Sequence, residues 1–485
     1  MNDASRSSVS KGGNSALMLA GQFVGKGSLF VSVMLLSRYL ADAEFGGFLF
    51  AIVLGQVYLF MSDMGVSLVL NRRASTNPKD TQELFSTSIS LRIMLSIAGL
   101  PLVMLAGLIL DMDSARLAVL GIIGVSVLFD SWSEMVYSVF RAGEIMVYES
   151  VSRMTRGISG LLLVVIAIRY QAGLTSIAGV YAARSAAGLA AALWGAKRLK
   201  LVMKPCWKFD RVKEMLIASL PLGIMGLVTI LHQRVDNVIV RQLLGENAVA
   251  AWQECMKVVE LMVLLVAPTL LPGALFPSLC RAFRNRNFTR QTADMARVFT
   301  AFSTALILAV ASAGPRFLKA LWGSGYLRQM DSSDLQLAFY LSLAGLAAVY
   351  IMHITLASLL AINRVKIVVP VTIAALIMVV AGNLFLMPVI GLPSAGLFFF
   401  SGNLVIVISY WLFLRWRGYS LPVWREILIS CAAGIPALAA VLLFAGKMSL
   451  VPAVLIPLAV YLPVWWFTGG GVAFRRLFPL KVIRD

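Results

Sequence analysis

Apolar runs of about twenty residues, long enough to cross a hydrocarbon core as α-helix, follow one another along the whole chain. They fall near 16–39, 46–69, 84–110, 117–140, 150–169, 174–196, 214–240, 247–276, 293–314, 336–361, 366–388, 392–414, 426–445 and 449–467. Within lipid every backbone N–H and C=O must be paired inside the protein, and a helix does this without help from another segment. The expected fold class is therefore an all-α polytopic membrane protein with about fourteen transmembrane helices. Composition agrees, since 13% of residues are charged and 59% are hydrophobic, where soluble domains carry about 25% charged residues.

The net charge of +19 could serve nucleic acid or a membrane topology. Its placement favours topology. Most Lys and Arg residues lie in every second connection, as in KRLKLVMKPCWKFDRVK and CRAFRNRNFTR, which the positive-inside rule reads as cytoplasmic, with both termini inside. No nucleic-acid partner is expected. No small-residue cleavage site closes the first apolar run, so no removable signal peptide is expected. Cys206, Cys255, Cys280 and Cys431 are far apart and His232 and His353 are the only histidines, so neither metal nor thiol-redox chemistry is expected, and no cofactor. The basic segment 197–213 divides the chain into an amino-terminal bundle, 1–196, and a carboxy-terminal bundle, 214–418, with two last helices and a basic tail over 419–485. SRYLADAEFGGF (37–48) can be laid on RQLLGENAVAAW (241–252), as a pair of parallel repeats would allow.

Two motifs imitate enzyme sites. GQFVGKG around Lys26 lacks the first glycine and the Ser/Thr of a phosphate-cradling loop, and no strand precedes it. DMD at 111–113 is read as a polar turn, and His353 as a packed core histidine.

RYLADAEFGGFLF, MSDMGVS, VFRAGEIMVYESVSR, SLPLGIMGLVTILHQRVDNVIVRQLLG and GLPSAGLFFFSGN together resemble the Wzx-type polysaccharide flippases of the multidrug/oligosaccharidyl-lipid/polysaccharide exporter (MOP) superfamily. The resemblance implies two six-helix bundles around a central cavity, two further helices, and alternating access in a bacterial inner membrane. It also implies the cargo, an undecaprenyl-diphosphate-linked oligosaccharide, with membrane lipids and polysaccharide polymerase and export machinery as partners.

A diphosphate needs cations along its route. A Lys or Arg at a helix centre costs about 2.5–3.5 kcal/mol on insertion scales, so such residues face a cavity or a partner. Five qualify: Lys26, Arg92, Arg184, Arg234 and Lys257. At 1.5 Å per residue, Lys26, Arg92 and Arg184 lie about 15, 12 and 18 Å from the inner ends of their helices, a common layer. These three are the candidate diphosphate contacts, against the alternative that each pairs with a carboxylate. Arg234 lies about 30 Å out, near Asp236 and Arg241, and Lys257 stands between Glu254 and Glu260, so both are weaker candidates. Asp130 and Glu134, four residues apart, are candidates for ion coupling, against a solvated helix end for Glu134 with Arg141 one turn on. Asp63 is read as either coupling or a helix end.

The leading expectation is a flippase without covalent chemistry. A multidrug or cation antiporter of the same superfamily would place unpaired carboxylates in the interior. A polysaccharide polymerase or ligase would carry a large outer loop, whereas the longest outer segment here, about 315–335, is short. No ATPase domain is evident.

Overall fold

The computed structural model describes residues 11–270, 279–280, 282–283, 287–323, 332–362, 364–419, 423–444 and 449–477. The end of the span expected over 247–276, parts of the basic segment 280–290 and of the outer segment 315–335, and the last eight residues of the basic tail lie outside the described residues. Helices with short connections make up what is described, and no strand occurs among the described residues.

In chain order the helices are α1 (Lys11–Tyr39), α2 (Asp42–Asp63), α3 (Val66–Thr76), α4 (Thr81–Ile109), α5 (Ser114–Ala142), α6 (Met146–Arg169), α7 (Leu174–Arg198), α8 (Phe209–Leu244) and α9 (Glu246–Leu270). They continue as α10 (Phe288–Ala313), α11 (Pro315–Trp322), α12 (Ser332–Ala361), α13 (Val368–Ile390), α14 (Pro393–Trp416), α15 (Val423–Phe444), α16 (Leu450–Trp465) and α17 (Gly471–Leu477). Twelve helical segments among the described residues are long and apolar enough to cross a membrane. The two other expected spans are helical as well, as α9 and α15.

The chain forms two compact units, Met1–Val238 and Ile239–Asp485. In the first, α5 packs against α2, α3, α4 and α7, while α1 lies along α6 and α6 along α7. Leu70, Phe85, Met135, Phe140, Ala192 and Ala196 form one buried cluster that joins α3, α4, α5 and α7. The basic segment between α7 and α8 is strapped to α4. Cys206 donates its N–H to the Ser86 carbonyl at 3.1 Å, the Ser90 hydroxyl donates to the Cys206 carbonyl at 2.8 Å, and the Gln82 amide exchanges two hydrogen bonds with the Val202 backbone.

The apolar run 46–69 is broken in two. Met64 and Gly65 both take left-handed backbone conformations, φ 40° and 79°, and α3 starts anew at Val66. A helix start leaves backbone donors unpaired, and Asp63 supplies the acceptor, taking the Ser67 N–H at 3.2 Å and its hydroxyl at 2.5 Å. Gly65 also has no room for a side chain, since a Cβ there would stand 2.8 Å from both the Gly223 nitrogen and the Ser219 carbonyl oxygen of α8. Farther along, Arg73 of α3 pairs with Glu214 of α8 at 2.7 Å.

In the second unit α10 packs against α12, α15, α16 and α17, and α12 packs against α9 and α14. Arg297 of α10 grips the buried carboxylate of Glu426 with two N–H groups, at 2.5 and 3.1 Å, and donates a third to the Gly469 carbonyl at 3.3 Å. This ties the last helices to the unit's core. Around it Val298, Ala301, Ala305, Ala433, Ala437, Tyr461 and Trp465 are buried together.

Two sequence motifs resolve locally. Asp113 caps α5 by accepting the Arg116 N–H at 2.8 Å, so the DMD stretch is a polar turn. His353 is partly buried in the middle of α12.

Candidate functional site

Charges inside the first unit collect where α5, α6 and α7 meet. α5 carries Asp130, Glu134 and Arg141, α6 carries Glu149, Arg153 and Arg156, and α7 carries Arg184. Helical spacing explains the stacking, because residues three, four and seven apart share a face. Four of these side chains close into a ring. Glu149, 0% exposed, accepts from Arg141 at 2.6 and 2.9 Å and from Arg153 at 2.9 Å. Glu134 accepts from the same two arginines at 3.1 and 2.7 Å. Arg153 also lies over the Tyr137 ring, 4.8 Å from its centroid. Two acids and two arginines neutralise one another.

Deeper along the same helices the pairing thins. Asp130 and Arg156 share a single hydrogen bond of 2.7 Å. Arg184 is 7% exposed, and none of its N–H groups meets an acceptor among the described residues. Its Nε is wholly buried without a partner, as is the Tyr181 hydroxyl, and its guanidinium rests on the Tyr181 ring at 4.6 Å. A buried cation without a hydrogen-bonded counter-charge is expensive, and the chain keeps one here, with Asp130 only within electrostatic reach.

The other candidates are placed differently. Arg92 is 0% exposed; its Nε is buried without a partner, but both terminal nitrogens are committed. One terminal nitrogen reaches the Asp63 carboxylate and the Ser67 hydroxyl, and the other reaches the Ser131 carbonyl at 2.8 Å and its hydroxyl at 2.5 Å. It thus braces the joint between α2 and α3 against α5. Lys26 is exposed on α1. Its neighbour Gly25 lies against α6, where a Cβ on Gly157 would stand 2.7 Å from the Gly25 Cα, so α1 carries Lys26 past the α6 turn that bears Arg153 and Arg156.

Lys257 pairs with Glu260 at 2.8 Å. Arg234 is partly buried and its carbonyl accepts from the Asn237 side chain at 3.3 Å. The Asp236 carboxylate accepts from the Asn237 backbone and side-chain nitrogens, and Arg241 pairs with Glu246 at 3.3 Å. The residues absent from the sequence-based candidates are Glu149, Arg153 and Arg156. The signal was present: α6 starts at Met146, which puts Glu149 and Arg153 four apart inside the helix, with Arg156 one turn on.

Residues 12–283 match the family model described as polysaccharide biosynthesis protein. The chain belongs to that family. No curated protein matches it significantly in sequence. Among solved structures, the chain is similar to a lipid II flippase, MurJ, in an inward closed conformation, with a TM-score of 0.76 at 14% identity over 94% of this chain and 99% of that one. An inward-facing multidrug resistance MATE-family transporter of the MOP superfamily matches with a TM-score of 0.68 at 15% identity, over 82% and 94% of the two chains. A MOP superfamily transporter from Pyrococcus furiosus, described as having a binding pocket of reverse polarity, matches at 0.62 and 16% identity over 83% and 94%. The fold is shared with these transporters, and the apolar helices make the chain a multi-pass membrane protein.

Proposed function

We propose that the protein is a flippase that moves an undecaprenyl-diphosphate-linked oligosaccharide from the cytoplasmic to the periplasmic leaflet of a bacterial inner membrane, by alternating access, and hands it to polysaccharide polymerase and export machinery. The observation that carries this reading is Arg184, a buried cation hydrogen-bonded to no carboxylate among the described residues. An anionic headgroup arriving there would supply a counter-charge in direct contact and the hydrogen bonds that its desolvation requires. Lys26, exposed on the helix that packs beside α6, is assigned a mobile cation for the same headgroup. Arg92, whose terminal nitrogens already serve Asp63, Ser67 and Ser131, is assigned to hold the α2–α3 joint.

A cation antiporter is less well supported. Asp63, Asp130, Glu134 and Glu149 are each held by an arginine, which leaves these acids poorly disposed to take up a cationic drug.

The test is complementation of a deletion strain, with membrane abundance and polysaccharide export measured together. Deletion is expected to abolish a surface or secreted polysaccharide and leave drug sensitivity unchanged. Arg184→Gln and Lys26→Ala are expected at normal abundance but defective in export, with Lys26→Arg partly active, since the charge remains while the donor geometry changes. Full export by both charge-removing variants would overturn the reading.

A further inference from the structure

Arg156 and Arg184 are arranged as a pair by a repeated pattern. Arg156 is followed four residues later by Gly160 on α6, and Arg184 by Gly188 on α7. Consecutive membrane spans joined by a short turn run antiparallel, so each arginine comes level with the glycine of the other helix. The contacts are reciprocal. A Cβ on Gly188 would stand 2.9 Å from the Arg156 Cβ and 3.3 Å from its Cδ, and a Cβ on Gly160 would stand 2.9 Å from the Arg184 Cδ. Each aliphatic stem therefore lies in a notch that only glycine leaves open, and the two guanidinium groups are delivered to one region between the helices. Arg156 and Asp130 are both within electrostatic reach of Arg184.

Two arginines placed together repel, and their counter-charge here is incomplete. The ring of Glu134, Arg141, Glu149 and Arg153 is closed, with each acid accepting from both arginines. Asp130 accepts one hydrogen bond from Arg156 and none from Arg184. One carboxylate thus serves two guanidinium groups, and several N–H donors remain open to a ligand.

We propose that Arg156 and Arg184 form a two-arginine seat for the diphosphate, each gripping phosphate oxygens with its forked donors, and that Asp130 is a built-in stand-in anion which the diphosphate displaces from Arg156. This rests on the flippase reading and adds to it a second contact and an internal competitor. The competitor has a purpose in transport. A seat with two uncompensated arginines would hold a diphosphate too tightly to release it, and Asp130 reclaiming Arg156 favours departure.

The consequence runs opposite to an ordinary site mutation, because removing the Asp130 charge strengthens binding. The experiment uses the full chain in nanodiscs of phosphatidylcholine, with geranylgeranyl diphosphate as probe and geranylgeraniol as control, binding read by calorimetry and folding by size exclusion and melting. Wild type is expected to prefer the diphosphate. Asp130→Asn is expected to bind it about tenfold more tightly and to export polysaccharide more slowly, whereas Arg156→Gln weakens binding about tenfold or more, the range of one lost charge-assisted hydrogen bond. Gly188→Ala, which displaces the Arg156 stem without touching charge, weakens binding as well, and it carries the test should Arg156→Gln fail to fold. Unchanged affinity in Asp130→Asn and Gly188→Ala, with loss in Arg184→Gln alone, overturns the two-arginine seat and leaves the flippase reading standing. A wild type that binds geranylgeraniol as well as the diphosphate overturns both.

Discussion

Glu149→Gln should destabilise the first unit far more than Arg184→Gln, although both remove a charge from the same set of helices. Glu149 is 0% exposed and accepts three hydrogen bonds from Arg141 and Arg153, at 2.6, 2.9 and 2.9 Å. Neutralising it leaves two guanidinium groups to share Glu134. Removing one partner from a buried ion pair costs about 3–5 kcal/mol, and because Glu134 keeps its contacts to both arginines, the lower figure applies. For a cooperative unit of about 150–250 residues, each kcal/mol shifts the midpoint by about 2–4 °C, so a fall of about 6–12 °C is expected. Arg184 gives up no ion pair when it is replaced, since none is formed among the described residues. Losing its buried charge relieves a desolvation cost, so Arg184→Gln should melt within about 2 °C of wild type, or above it. Tryptophan fluorescence of the purified protein during heating reads both variants, with membrane abundance as a second measure. A Glu149→Gln protein that melts like wild type, or an Arg184→Gln protein that falls as far as Glu149→Gln, would refute the division of the cluster into a closed ring and an open seat.

Gly65→Ala should lower abundance and melting temperature. The left-handed backbone costs a side chain about 1–2 kcal/mol, and the contact with the α8 backbone adds about 1–3 kcal/mol more. Gly27→Ala, where a Cβ would meet nothing within 4 Å, should change neither, and equal losses in the two would count against the α2–α3 joint. Reporters fused after residue 205 should read cytoplasmic and those after residue 113 periplasmic, in keeping with the alternation of basic connections; reversed readings would invert the topology and with it the direction of transport.

The number and approximate positions of the helices could be read from the chain because the bilayer imposes a local rule. Each span must be apolar over about twenty residues and must pair its own backbone groups, and both conditions concern neighbours in sequence. The same rule marked Lys26, Arg92 and Arg184 as costly interior cations. It could not assign their partners. Arg92 meets Asp63 from a different helix, Arg141 closes on Glu149 across the turn between α5 and α6, and Arg184 is left open because the carboxylates near it on α5 and α6 are bonded to other arginines. The break at Met64 and Gly65 was hidden in a continuous apolar run, and the α8 backbone that leaves Gly65 no room for a side chain is some 150 residues farther along. The two arginine–glycine pairs are each an ordinary four-residue spacing in sequence and become a matched set only when α6 and α7 lie side by side. Burial in lipid is decided by the composition of a segment, whereas the pairing of a buried charge is decided by which helix face meets which, and only the packed tertiary structure holds that information.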